Sequence, residues 1–433
     1  MSYRWLLTVR SLTVDQTTHY RSQLSQLFSK KLKILLHTQW FDPEPTFKGL
    51  LFAKSLHKAG HEVEVLTGFP NYPGGNVYDG YKISFYQREL IDGVVVHRVP
   101  LYPSHDNSAK KRVFNYISFA ASSLLLGLLK IRKIDVIYSY HPPLTASLSA
   151  VFLGLLKRVP VVVDIQDLWP DTLAATGMLK NPKALSIVGK FCNLTYRLAA
   201  KVVVLSPGFK KRLVSRGVPE DKVQVIYNWC DEQAISNFSP CELKLPDNGK
   251  LNLLFAGNLG YAQGLPAIVK AADILKSNNI PVNIVLLGDG VAKQDAVNMS
   301  QELELDNVFF LPRVPMSKVG ALLSAADILL VHLNGDELFK ITIPSRTQSN
   351  LAIGKPIIMG VEGDAAELVK ESGSGIICKP NSPELLAEAI TSLAEKSANE
   401  RAAMGQAGQK FYYEKLSLEK GVKQFIDIFE SIV

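Results

Sequence analysis

Three consecutive residues, Pro344-Ser345-Arg346, open the segment TQSNLAIGKP. Proline suits a first helical turn, where its missing N–H costs nothing. The free amides of that turn, the Ser345 hydroxyl and the Arg346 fork would then form an anion site of diphosphate size. The competing reading is a plain helix cap at Ser345 and a solvated charge at Arg346. A second phosphate-type signal is the run Gly257-Asn258-Leu-Gly260-Tyr-Ala-Gln263-Gly264 between an aliphatic stretch and a helical pattern. Glycines there let the backbone approach a ligand, and the following helix start offers N–H groups; a tight turn alone would also need them. The spacing is not Gly-x-Gly-x-x-Gly and the nearest acid downstream, Asp273, falls inside the next helix, so nicotinamide binding is not indicated. Gly288-Asp289-Gly290 repeats the pattern in shorter form.

In the first half, His141 ends the aliphatic run DVIYSY and precedes Pro142-Pro143, the kind of strand end where open sheets bind ligands. Asp167, Trp169 and Asp171 follow the run VVVDI, where the carboxylates could hold acceptor hydroxyls or, for Asp171, cap a helix. No Ser/His/Asp order, Walker loop or metal-ligand cluster is visible. The cysteines, at 192, 230, 241 and 378, form no Cys-x-x-Cys pair. Neither a disulfide framework nor a structural metal is expected, and a reduced, cytoplasmic setting fits.

The elements that must carry these residues are legible in the apolar pattern. KLKILLH, HEVEVLT, DVIYSY, VPVVVDI, AKVVVLS and VQVIYN are short runs separated by helical segments, and a second series follows with LNLLFAG, VNIVLLG, NVFFLP, ADILLVHL, KPIIMG and SGIICK. Unalternating Val/Ile runs are strands buried on both faces, hence parallel sheets covered by helices. The expected fold class is therefore α/β, two doubly wound, Rossmann-like domains facing a cleft. The expected boundaries are a disordered leader over 1–30, a first domain over 31–232, a polar linker over 233–250, a second domain over 251–410 and a closing helix over 411–433.

Charge is uneven between the halves. Residues 1–232 carry 30 Lys and Arg against 17 Asp and Glu, whereas residues 233–433 carry 18 against 23. A basic half should meet something anionic. Nucleic acid is not expected, because no aromatic-interleaved basic stretch or helix-turn-helix pattern accompanies the charge. Val113–Leu129 is a long apolar helical segment bracketed by Lys110, Lys111 and Arg112 on one side and Lys130, Arg132 and Lys133 on the other. Seventeen residues span roughly 25 Å, short of a hydrocarbon core of about 30 Å. The readings left open are a buried connecting helix, peripheral docking on an anionic membrane surface, and a spanning helix.

HEVEVLTGFPNYP, DLWPD, FAGNLGYAQGL, LLGDG, TIPSRTQSNLAIGKPII and GDAAELV, in that order, resemble the retaining glycosyltransferases of family 4. The nearest likeness is to the bacterial surface-polysaccharide branch with O-antigen and capsule N-acetylfucosamine transferases, and it runs from about Lys31 to the end. The resemblance implies the two-domain GT-B architecture, a closing helix that crosses back to the first domain, no cofactor and no metal. It places a nucleotide-sugar donor on the second domain, near Gly257, Asn258, Gln263, Gly264, Gly288, Asp289, Arg313, Pro344 and Ser345. Lys48 and Gly49, in the loop after the first strand, would close over its phosphates. His141 matches the family histidine beside the donor sugar, Arg346 would neutralise the leaving diphosphate, and Glu367 would serve the donor. Asp167, Trp169 and Asp171 would hold the acceptor.

Departures from the family pattern are as specific as the matches. The glycine loop carries Asn258 and Gln263 where many relatives carry Arg and Lys, and the family's paired glutamates align with Ile341 and Ser349. The activity implied is transfer of an N-acetylated deoxyhexose from a UDP-sugar to a polyprenyl-diphosphate-linked saccharide at the inner face of the plasma membrane. A nucleotide-sugar epimerase of the same fold and a catalytically silent subunit that binds the lipid carrier remain the alternatives.

Overall fold

The computed structural model describes residues 30–104 and 109–433. The expected leader, apart from its last residue, lies outside the described residues. Two compact units result. One comprises the described residues up to Asp164 with Leu194–Lys201 and Ile426–Val433, the other Ile165–Asn193 and Val202–Phe425.

Six strands of the first series fall where the aliphatic runs place them, β1 Lys33–His37, β2 Glu62–Gly68, β5 Val136–His141, β6 Val161–Ile165, β7 Lys201–Val204 and β8 Val223–Val225, and two more, β3 Gln87–Ile91 and β4 Val94–Val99, come between β2 and β5 in the chain. Their sheet order is β3-β4-β2-β1-β5-β6-β7-β8. The second series is β9 Leu251–Ala256, β10 Val282–Leu287, β11 Val308–Leu311, β12 Ile328–His332, β13 Ile357–Gly360 and β14 Gly375–Ile377, ordered β11-β10-β9-β12-β13-β14. Both sheets reverse strand order beside their first parallel strand, at β1/β5 and β9/β12. Ligands of doubly wound sheets bind outside the strand ends at such points.

Why the runs do not alternate is visible in the second sheet. Leu253, Phe255, Ile284, Leu286, Ile328 and Leu330 face one side and pack with Ile268, Leu275 and Ile390 of the helices there. Leu254, Val285, Leu287 and Leu329 face the other side with Leu322 and Leu323. These strands are thus apolar at nearly every position, Asn252, Asn283 and His332 being the exceptions, because both faces are dry.

The hairpin β3–β4 was not expected. It is antiparallel, pairing Ile91 with Val94 around Asp92-Gly93, whose φ values of 47° and 85° fit a two-residue hairpin turn. The first described helix, Leu50–Lys58, starts where the Asp42 carboxylate takes the Leu50 N–H at 2.7 Å, which leaves 46–49 as loop. The expected linker contains a short helix, Glu232–Ser236, capped by Asp231, which accepts the Ala234 N–H at 3.0 Å.

The closing segment 411–433 is not one helix. It is the end of Ala398–Lys415 and a separate helix, Leu418–Ile432. Glu232 Oε1 accepts the Leu418 N–H at 2.7 Å and the Ser417 hydroxyl accepts the Lys420 N–H at 3.4 Å, so these side chains start a new helix there. Ala109–Lys130 forms the long helix expected from its apolar run.

Candidate functional site

At the carboxyl ends of β9, β10 and β11 lies a cavity of about 530 Å³. Gly257 and Asn258 follow β9, Gly288 and Asp289 follow β10, Arg313 follows β11, and Ser345 and Arg346 begin the helix Ser345–Ile353; all seven line it. Sequence reasoning placed these residues at the donor site, and the fold brings them together. Gly257 and Gly288 have φ of 149° and 144°. A Cβ on Gly288 would lie 1.9 Å from the Gly257 carbonyl oxygen, and one on Gly257 would lie 3.1 Å from Arg346 Nη2. The two loops can approach each other and the guanidinium only without side chains there.

Arg346 is the electrostatic centre of the cavity. Its guanidinium carbon lies 4.2 Å from the centroid of the Phe255 ring, and Nη1 is buried with no hydrogen-bond partner. Burial lowers its pKa to about 10, which leaves it charged at neutral pH. Pro344 precedes the helix at φ −60°, and no side chain caps the first turn. A buried cation with a spare donor, beside uncapped amides, is built to receive an anion.

Several cavity residues escaped sequence reasoning. Val314, Met316, Val319 and Leu323 form an apolar wall, and their types read as ordinary core. Asn350 also lines the cavity, four residues after Arg346, and helical spacing from Arg346 is the signal that would have found it; Ser349, already singled out by the family's paired glutamates, lines it too. Ser349 is the position that the family pattern fills with glutamate.

Gln263, Gly264, Pro344 and Glu367 do not line the cavity. Gln263 is buried, and its backbone carbonyl lies 2.7 Å from His332 Nδ1, while His332 Nε2 accepts the Asn381 N–H at 3.4 Å. Those two bonds make Nδ1 the protonated nitrogen, so His332 braces the glycine loop as a neutral ring, with burial lowering its pKa. Gly264, at φ 65°, sits close under this ring. Glu367 was expected to serve the donor; its side chain is instead exposed on the helix Asp364–Ser372, 3.8 Å from Lys370.

In the first unit the carboxyl ends of two strands carry histidines. His37 closes β1 and His141 closes β5, both fully buried, and burial lowers each pKa to about 4. Both rings are neutral at pH 7. Lys48 was expected to meet phosphate from a closing loop. The structure buries its side chain completely, with Nζ 2.5 Å from Asp164 Oδ2, an oxygen that also accepts the Tyr138 hydroxyl at 2.6 Å. A buried ammonium needs such a partner, so its charge is spent inside the protein. Gly49 lies where a Cβ would collide with Thr46 and Asp42, which ties it to the Asp42 cap.

Among the expected acceptor residues, Asp171 starts the helix Asp171–Ala175 and holds Arg216 Nη2 through both carboxylate oxygens at 2.6 Å. Asp167 and Trp169 are half-buried, and burial raises the Asp167 pKa. No three His, Cys, Asp or Glu side chains cluster as a metal site among the described residues.

Comparison with known proteins agrees with the α/β fold. Residues 50–229 match a glycosyl transferase 4-like domain and residues 243–411 match glycosyl transferases group 1. The chain is 28% identical over 377 residues to a putative colanic acid biosynthesis glycosyl transferase of Escherichia coli, WcaI, covering 83% of this chain and 91% of that one. It is 26% identical over 298 residues to a probable glycosyltransferase of Pseudomonas aeruginosa, WbjE, covering 67% of this chain and 74% of that one. Among solved structures, Anabaena HepE in complex with UDP and glucose aligns with a TM-score of 0.64 at 16% identity, over 92% of this chain and all of that chain. Sucrose-phosphate synthase of Thermosynechococcus elongatus aligns at 0.66 and 15%, over 93% and 99%. With two glycosyltransferase domains matched in succession and two parallel α/β sheets beneath them, the protein is a glycosyltransferase of the GT-B type.

Proposed function

We propose that the chain transfers a sugar from a UDP-sugar to a polyprenyl-diphosphate-linked saccharide in surface polysaccharide synthesis, with retention of configuration. The observation that carries the reading is the buried Arg346 Nη1 without a partner, inside a cavity lined by two glycine loops. The diphosphate lies against this guanidinium and the first-turn amides of Ser345–Ile353, and the base lies on the apolar wall of Val314, Met316 and Val319. HepE was crystallised with UDP, which supports the choice of nucleotide, and WcaI is named for colanic acid, which supports a polysaccharide product. The motif resemblance favours an N-acetylated deoxyhexose as the sugar.

In the reaction the bond from the sugar's anomeric carbon to the β-phosphate oxygen breaks and a bond to the acceptor oxygen forms on the same face. The acceptor's proton passes to the departing phosphate oxygen. Arg346 and the helix amides stabilise the charge that grows there, without a divalent ion. The acceptor's lipid is proposed to bring the enzyme to the cytoplasmic face of the membrane as a peripheral protein. In support, the helix Ala109–Lys130 exposes Val113, Phe114, Ile117, Leu125, Leu128 and Leu129, a continuous apolar stripe, with exposed Lys110, Lys130, Arg132 and Lys133 around it.

The test is UDP release from UDP-sugars by purified protein with and without acceptor lipid. Acceleration by acceptor is expected. Isomerisation of the UDP-sugar alone would establish the epimerase instead, and no turnover with any UDP-sugar and acceptor would leave the silent subunit.

A further inference from the structure

Three dipeptides from three separate elements share one design: Gln39-Trp40 after β1, Asn71-Tyr72 after β2, and Asn115-Tyr116 in the helix Ala109–Lys130. The three amides are buried and bonded together. Gln39 Nε2 donates to Asn115 Oδ1 at 2.5 Å, and Asn115 Nδ2 donates to the Tyr102 carbonyl at 2.7 Å and lies 3.4 Å from Asn71 Oδ1. The three rings that follow them are half-buried and gathered. Trp40 and Tyr72 have centroids 4.8 Å apart, and Trp40 and Tyr116 6.4 Å. Glu44 locks the two loops together, accepting the N–H groups of Asn71 and Tyr72 at 2.8 Å each and that of Phe41 at 3.0 Å.

Burying three side-chain amides costs free energy unless each is placed to bond the others, so the network fixes the backbones that carry the rings. A ring cluster that served only as core would be fully buried. This one keeps part of its surface open at the carboxyl ends of β1 and β2, where a doubly wound sheet receives ligands. We propose that Trp40, Tyr72 and Tyr116 form a stacking platform for a pyranose ring of the acceptor saccharide. A pyranose offers a face of C–H groups to aromatic rings and hydroxyls at its rim, and a half-open aromatic floor with two phenol hydroxyls suits both. The exposed Phe114 and Ile117 flank Tyr116 on the same helix, an apolar neighbour for the lipid to which that saccharide is joined. The inference rests on the glycosyltransferase reading and deepens it on the acceptor side.

The test uses saturation-transfer NMR on the full chain with methyl glucopyranoside and methyl N-acetylglucosaminide, with dodecyl phosphate as a lipid-like competitor. Signal at the pyranoside C–H protons is expected, with affinity roughly tenfold weaker in Trp40→Leu, Tyr72→Leu and Tyr116→Leu. Trp40→Phe, Tyr72→Phe and Tyr116→Phe, which keep a ring, should stay within about threefold of wild type. These conservative variants and the change in tryptophan fluorescence on adding pyranoside keep the test open if a leucine variant misfolds. No signal in the wild type, or unchanged affinity in folded leucine variants, overturns the proposal. Displacement of the pyranoside by dodecyl phosphate overturns it in favour of a lipid groove. Thermal stabilisation by UDP, measured on the same samples, reports the donor reading separately. Pyranoside failure with UDP stabilisation intact sinks the platform alone, and the converse sinks the donor reading alone.

Discussion

Arg346→Met separates two consequences that usually travel together, loss of function and loss of stability. Wild-type Arg346 is a cation with a buried Nη1 that no protein group satisfies, and its only described compensation is the Phe255 ring at 4.2 Å. An unsatisfied buried donor costs about 1–3 kcal/mol and a ring–cation contact returns about 0.5–2 kcal/mol. Methionine keeps the aliphatic stem and fills part of the space. The ligand-free variant should therefore melt within a few degrees of wild type or slightly above it. Nucleotide binding should behave oppositely. A charge-assisted bond to phosphate contributes about 1.5–3 kcal/mol, so UDP affinity should fall roughly 10- to 150-fold. The assay is a pair of melting curves with and without UDP, backed by calorimetric titration. At the same UDP concentration the variant should gain less stability than wild type, because a ligand that binds the native state raises Tm by an amount that grows with the ratio of its concentration to its Kd. UDP binding within about threefold of wild type would refute the assignment of Arg346 to the leaving diphosphate. A large fall in Tm of the ligand-free variant would refute the claim that its guanidinium waits unpaired.

Other consequences are as specific. His141→Asn should lower turnover at least about a hundredfold while UDP stabilisation survives, and steady-state rates beside melting curves would read both. The protein should lose stability as pH falls from 6.5 towards 4, because the unfolded chain protonates His37 and His141 near the ordinary value while the buried rings resist until about pH 4. The cost approaches about 3 kcal/mol per ring at the acid end, and His37→Asn should flatten the pH dependence of the urea midpoint. Wild type should float with vesicles containing anionic lipid, and the pair Leu125→Glu with Leu129→Glu should stay in the soluble fraction. Equal recovery of wild type with neutral and anionic vesicles would remove the charge-assisted docking.

The parallel strands were legible because a strand buried on both faces is largely apolar, as Val282 to Leu287 show by being buried throughout with Asn283 as their one polar residue. The edge hairpin was missed for the complementary reason. QRELI sets three polar residues before Leu90 and Ile91 and is exposed at Arg88 and Leu90, so it shows no buried apolar run and only the Asp92-Gly93 turn announced it. The loops that gather at the cavity were legible because their signals are local: Pro344, Ser345 and Arg346 are consecutive, and the glycine pairs sit at strand ends that the apolar runs mark.

Charges whose partners lie far along the chain were not legible. Lys48 and Arg346 look alike in sequence, each a cation near a helix start. Asp164, 116 residues away, holds the first at 2.5 Å with Tyr138 on the same carboxylate, whereas Arg346 Nη1 has no hydrogen-bond partner. That difference decides their roles better than motif position does. A buried cation already neutralised has little left to offer a diphosphate, and releasing it would strand a buried carboxylate. A buried cation left unsatisfied in the wall of a glycine-lined cavity keeps its donor for what enters. The same reasoning applies to Glu367 and Asp171. Glu367 is exposed beside Lys370, and Asp171 is engaged by Arg216, so neither holds a desolvated charge in reserve as Arg346 does.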